Sequence, residues 1–106
     1  MNIKLTQEGE KTSVFLSGTI DIPSAENLKH SLHELLRDDL KEVIIDFDEV
    51  DSIGSSGIGA LLLTHKEYTS RGIKFMIINL NKEITALFKI IKLDKLFNID
   101  AQPQAS

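Results

Sequence analysis

The chain has 106 residues, 42% of them hydrophobic and 26% charged, with a net charge of −4 and no cysteine. That length suits one domain able to bury roughly two thirds of its unfolded surface. The acidic balance argues against a nucleic-acid partner, which needs a basic face, and the absence of cysteine excludes disulfides, thiolate zinc sites and thiol catalysis. The N-terminus lacks the apolar core of a signal peptide, and no apolar run approaches the length of a membrane span. The expectation is a cytoplasmic domain spanning 1–106 with no direct membrane insertion.

In chain order, Ile3-Lys4-Leu5 alternates, Gly9 turns the chain, and Thr12–Gly18 alternates again, which predicts an N-terminal β-hairpin. Gly18-Thr19-Ile20-Asp21 closes it. Pro23-Ser24 opens a helix with Ser24 as N-cap, its stripe formed by Ala25, Leu28, Ser31, Leu32, Leu35 and Leu36. Lys41–Phe47 carries Val43-Ile44-Ile45 at its centre, the composition of a strand buried on both faces. A glycine-bracketed turn follows, then a helix from about Ser56 to Tyr68 that ends at Arg71-Gly72. Ile73–Leu80 reads as a strand, Lys82–Ile91 as a helix and Leu96–Ile99 as a last short strand. The tail 101–106 carries a proline and no periodicity, and is expected to fray. The order β-β-α-β-α-β-α-β requires parallel strands joined by right-handed crossovers. The fold class is therefore α/β, a single domain with a mixed sheet, an antiparallel N-terminal hairpin and helices packed on the sheet.

The turn Gly54-Ser55-Ser56-Gly57-Ile58-Gly59 stands between a strand and an apolar helix. Backbone N–H groups at a helix start lack intrahelical partners and carry the positive end of the dipole, so a hydroxyl there tolerates a phosphate. Three enzymatic readings of this turn each miss an indispensable residue. A phosphate-binding loop needs lysine and a hydroxyl where Ala60-Leu61 stand. A dinucleotide fingerprint needs glycine at Leu62, and a nucleophile elbow needs glycine at Ile58. His30 and His33 lie i, i+3 on the first helix, but no carboxylate pattern completes a metal site, and a solvated face is the preferred reading. His65 falls on the Ile58/Leu61/Leu62 stripe as a partly buried packing residue. It lies about 14 Å along the helix from the serine doublet, too far to act as its base. A helix cap is the bland reading of Ser55-Ser56. One serine suffices for a cap, however, and Ala60 and Leu63 fall in line with Ser56 and Glu67 as an outward apolar ridge.

Those residues resemble the STAS domain family, in particular bacterial anti-sigma-factor antagonists. The family signature, a strand followed by D-S-[ST]-G-[LI]-G and a helix, is met by Gly54-Ser55-Ser56-Gly57-Ile58-Gly59, with Gly54 standing where the family has an acidic residue. Gly18-Thr19-Ile20-Asp21 with Ser24-Ala25, then Ala86-Leu87-Phe88 and Leu96-Phe97-Asn98-Ile99, match further family elements, so the resemblance covers nearly the whole chain. It implies a non-enzymatic binding module without cofactor or metal. In such a module the unphosphorylated form binds an anti-sigma factor that is also a serine kinase, which inactivates it by phosphorylation, and a PP2C-type phosphatase reverses the change. By position the phosphoacceptor is Ser55, with Ser56 as runner-up, and Asp21 matches a family aspartate near the turn. With the ridge, the expected partner-binding residues are Asp21, Ser56, Gly57, Ile58, Gly59, Ala60 and Leu63. The alternative is a STAS subunit of a membrane-associated transport or lipid-trafficking complex, with no phosphorylation switch.

Overall fold

The computed structural model describes residues 1–100. Its elements run β1 (Asn2–Glu8), β2 (Lys11–Ile20), α1 (Ile22–Glu34), β3 (Glu42–Ile53), α2 (Ser55–Ser70), β4 (Lys74–Ile78), α3 (Lys82–Ile90) and β5 (Asn98–Asp100). The expected order therefore holds. The five strands lie in the sheet in chain order, β1-β2-β3-β4-β5, with β1 antiparallel to β2 and every later neighbour parallel. The hairpin turns at Gly9-Glu10, and Gly9 takes φ +66°, the left-handed region that glycine enters without a Cβ clash. The expected frayed tail, 101–106, lies outside the described residues.

Alternation sorts the strands into two faces. Val14 and Leu16, Val43, Ile45 and Phe47, and Phe75 and Ile77 are buried on one face. They join Leu28 and Leu32 of α1, Leu61 and Tyr68 of α2, and Ile84 and Phe88 of α3 in one core. On the other face Ser13, Phe15, Ile44, Asp46, Met76 and Ile78 are only half-buried. The expectation that Val43-Ile44-Ile45 is buried on both faces is thus corrected. The helices cover one side of the sheet, and Ile44 lies on the side they leave open.

Other boundaries differ from expectation as well, β4 covering Lys74–Ile78 where Ile73–Leu80 was expected. β3 runs on to Ile53 instead of ending at Phe47. Its register against β2 slips after Phe15↔Asp46 and again after Gly18↔Val50, which spaces its buried residues as Phe47, Val50 and Ile53. These irregularities twist and bend a strand locally. They carry the end of β3 beyond β4, whose pairing stops at Asp46↔Ile78. The last strand is displaced too, covering Asn98–Asp100 where Leu96–Ile99 was expected.

Candidate functional site

In a parallel sheet every strand delivers its following helix to the same edge. β2, β3 and β4 end at Ile20, Ile53 and Ile78, and α1, α2 and α3 start from caps at Asp21, Gly54 and Asn81. Three helix N-termini are thus gathered at the carboxyl ends of adjacent strands, the edge where open α/β sheets place ligands and reactive groups.

Each cap is built differently. The Asp21 carboxylate accepts from the Ser24 N–H at 3.1 Å, so α1 starts at Ile22 and its cap is Asp21, correcting the expectation of Ser24. Ser24 itself is buried, 8% exposed. Hydrogen bonding from Ser24, by its side chain first and its N–H second, holds the Asp21 carboxyl below the usual carboxylate range. At α3 the Asn81 Oδ1 accepts from Ile84 N–H at 2.8 Å, and its Nδ2 donates to the carbonyls of Val50 and Asp51 at 3.2 and 3.1 Å. One side chain thereby caps α3 and pins the far end of β3. At α2 the cap is Gly54, with φ −92°, ψ 179° and no side-chain hydrogen bond. The capping role weighed for Ser55-Ser56 is therefore absent. Both serines lie inside the first turn of α2.

Gly54 N–H donates to the Ile20 carbonyl at 3.0 Å. That bond holds the start of α2 beside the start of α1, with Asp21 and Ser55 each one residue beyond it. The doublet divides by exposure: Ser55 is exposed, whereas Ser56 is half-buried and lines an open hollow of about 270 Å³ between α1 and α2, with Ile22, Ala25, Gly59, Ala60 and Leu63. Ile22 and Leu63 are 70% and 59% exposed, an apolar pair beside this hollow.

Other expected site residues belong to the interior. Gly57 is buried, and a Cβ there would stand 2.7 Å from both Ile20 Cγ2 and Ile53 Cγ1. Its lack of a side chain is what lets α2 seat on the ends of β2 and β3. Ala60 is only 6% exposed, which corrects its placement on an outward ridge. Leu61 is buried in the core shared with the sheet, and Ala60 lies with Ala25 of α1 at the hollow between the two helices, so the ridge reduces to Leu63. Ile58 packs partly buried against the core, and Gly59 is half-buried with open space where a Cβ would stand.

The histidines are fully accounted for by packing and pairing. His30 Nε2 lies 3.6 Å from Glu34, and His33 Nδ1 lies 3.1 Å from Glu67, bridging α1 and α2. Among the described residues no group of three or more His, Asp or Glu is arranged to hold a metal. His65 is half-buried, edge-on to Phe75 and Phe97 at 5.4 and 5.2 Å between centroids. Burial pushes its imidazole below the ordinary value, opposed by a hydrogen bond to the Leu96 backbone. Sequence reasoning missed Asn81; its signal is an asparagine directly before Lys82 at a helix start.

A family model described as "STAS domain" matches residues 2–105. An anti-sigma-B factor antagonist of Staphylococcus aureus is 22% identical over 100 residues, covering 94% of this chain and 93% of that protein. Among solved structures, an anti-sigma factor antagonist from Mycobacterium paratuberculosis superimposes with a TM-score of 0.83 at 21% identity, over 95% of this chain and 86% of that one. The Bacillus cell fate determinant SpoIIAA in its phosphorylated form gives 0.74 at 16% identity, over 95% and 93%.

Proposed function

Because the chain belongs to the STAS domain family, we propose that it is an anti-sigma-factor antagonist working by partner switching. Unphosphorylated, it binds an anti-sigma factor with serine kinase activity through the rim formed by Asp21, Ser55, Ser56 and the Ile22/Leu63 pair. The kinase phosphorylates Ser55 and thereby releases it, and a PP2C-type phosphatase restores binding. The observation that carries this reading is the position of Ser55: exposed, in the first turn of α2, next to Ser56, which lines the hollow that holds the exposed Ile22 and Leu63. The names of its relatives, one of them solved in a phosphorylated form, favour the same reading.

The chemistry needs no rearrangement of the fold. A phosphate on Ser55 brings about −1.5 to −2 charges to a helix start whose N–H groups and dipole accept them. The same charge, added to that of Asp21 at the neighbouring helix start, disfavours any docked acidic or apolar surface. At about 5 Å and an effective dielectric near 20, one unit charge facing another is worth roughly 3 kcal/mol, and half of that shifts affinity about tenfold.

Incubation with a cognate anti-sigma kinase and ATP, followed by phosphopeptide mapping, tests the reading. The label is expected on Ser55, and Ser55→Ala is expected to bind the kinase without being released by ATP. Label confined to Ser52 or Ser70, or an Ser55→Ala variant still released by ATP, rejects Ser55 as the switch.

A further inference from the structure

α3 and the segment after it end in an apolar tip set among cations. Ile90, Ile91 and Leu96 are 76%, 41% and 48% exposed, and Lys89, Lys92 and Lys95, interleaved with them, are exposed as well. The backbone beneath is closed by a paired hydrogen bond at the helix end: Leu93 N–H donates to the Phe88 carbonyl at 2.8 Å, and Lys92 N–H to the Lys89 carbonyl at 3.1 Å. In that closure the residue after the C-cap is left-handed, a position that glycine occupies without a Cβ penalty. Here it is Lys92, at φ +63°. A cation is therefore held at the tip where the backbone favours a residue without a side chain.

Charge and shape limit what the tip can meet. From Lys82 to Leu96 four lysines stand against two acids, in a chain whose acids outnumber its bases 16 to 12. Hollows lie between α1 and α2, beside β1, and near Arg37 and Arg71 where α1 and α2 end, while Ile90 protrudes, 76% exposed. A protruding apolar tip with a basic surround matches a deformable anionic interface better than the groove of a protein partner. We propose that this tip binds anionic lipid surfaces. The lysines pair with headgroup phosphates and carboxylates, and Ile90, Ile91 and Leu96 enter the boundary between headgroups and acyl chains. The acidic remainder of the molecule is repelled by the same surface, which orients the contact.

The tip is remote from the phosphorylation rim. Asn81, at the start of α3, touches the end of β3 that leads into Gly54, and the nine residues of α3 carry the chain about 14 Å away from it. Lipid contact thus leaves the α1–α2 rim free, and the inference stands whether or not Ser55 is modified.

Sedimentation of the full chain with vesicles tests it. The chain is expected to pellet with phosphatidylcholine vesicles containing about one third phosphatidylserine, to stay in the supernatant with phosphatidylcholine alone, and to be released by salt. Ile90→Glu is expected to weaken pelleting. Lys92→Gly is the sharper variant because its two readouts move in opposite directions. Relief of the left-handed position raises the melting temperature, while loss of one cation lowers vesicle affinity about fivefold. The proposal is overturned if the parent chain does not pellet with the anionic vesicles, if it pellets equally with both compositions, or if Lys92→Gly binds as tightly as the parent.

Discussion

At the residue scale, the two glycines that flank the serine doublet have opposite reasons for being glycine. Gly57 is a packing requirement: a Cβ would come within 2.7 Å of Ile20 and Ile53, both held by the core. Gly54 is not. Its φ of −92° is open to any L-residue, and a Cβ would meet nothing closer than the Ile20 carbonyl oxygen at 3.8 Å. The acidic residue that the family resemblance leads one to expect there has room. An aspartate at Gly54 also stands at the uncapped N-cap of α2, where its carboxylate can accept from first-turn N–H groups and where loss of glycine restricts the unfolded chain. Gly54→Asp is therefore expected to gain about 0.5–1 kcal/mol in a thermal melt. In the kinase assay the added charge beside Ser55 is expected to speed phosphorylation. A drop in melting temperature contradicts the capping geometry, and an unchanged phosphorylation rate removes any electrostatic role from this position.

At the element scale, the order of strands and helices was legible because each has its own period and its own punctuation. Gly9, Pro23 and Gly72 mark boundaries, and the Val43–Phe47 and Phe75–Ile78 runs mark the central strands. The far end of β3 was not legible. Asp46, Asp48, Glu49 and Asp51 interrupt the apolar pattern there, and pairing with the end of β2, the Asn81 clamp and burial of Val50 and Ile53 hold it extended. These are tertiary facts with no local period. The facing of α2 was half legible for a related reason: an apolar stripe shows that a helix packs, but not on how many neighbours. α2 packs on two, the sheet and α1, with Leu61 in the core and Ala60 beside Ala25, which leaves Leu63 as the most exposed apolar side chain of α2. Leu63→Glu is expected to weaken binding of the unphosphorylated chain to its kinase at least tenfold, as loss of a docking anchor does. Stability is expected to change by only about 0.5 kcal/mol, since the site is exposed and the new charge sits one turn before Glu67. Loss of the cooperative melt instead would mean that Leu63 supports the α1–α2 contact. Unchanged binding would move the docking surface elsewhere.

At the scale of the whole molecule, the C-terminal segment is tied to the rest by the pairing of β5 with β4 and by an aromatic cluster. Phe97 meets His65, Phe75 and Phe88 at centroid separations of 5.2, 5.9 and 5.9 Å, joining α2, β4 and α3 around the approach to β5. His65 is the titratable member of that cluster, and burial depresses its pKa below 6.5 in the folded chain. As pH falls, the unfolded chain therefore takes up a proton at this position before the folded chain does. The stability linked to His65 is complete above about pH 6.5 and is lost progressively as the pH drops below it. His65→Leu keeps an apolar contact against Phe75 and Phe97 and removes the proton. The expected result is a urea-denaturation midpoint that falls less between pH 7.5 and pH 5, roughly the window around the imidazole's ordinary value, than the parent midpoint does. His30 and His33, paired with Glu34 and Glu67, are common to both chains and cancel in that comparison, as does Asp21, whose shift acts below the ordinary carboxylate range. Equal pH slopes in parent and variant would show that the cluster opens to admit the imidazolium, and that the C-terminal segment is held by Phe97, Phe88 and the β4–β5 pairing without any contribution from the charge state of His65.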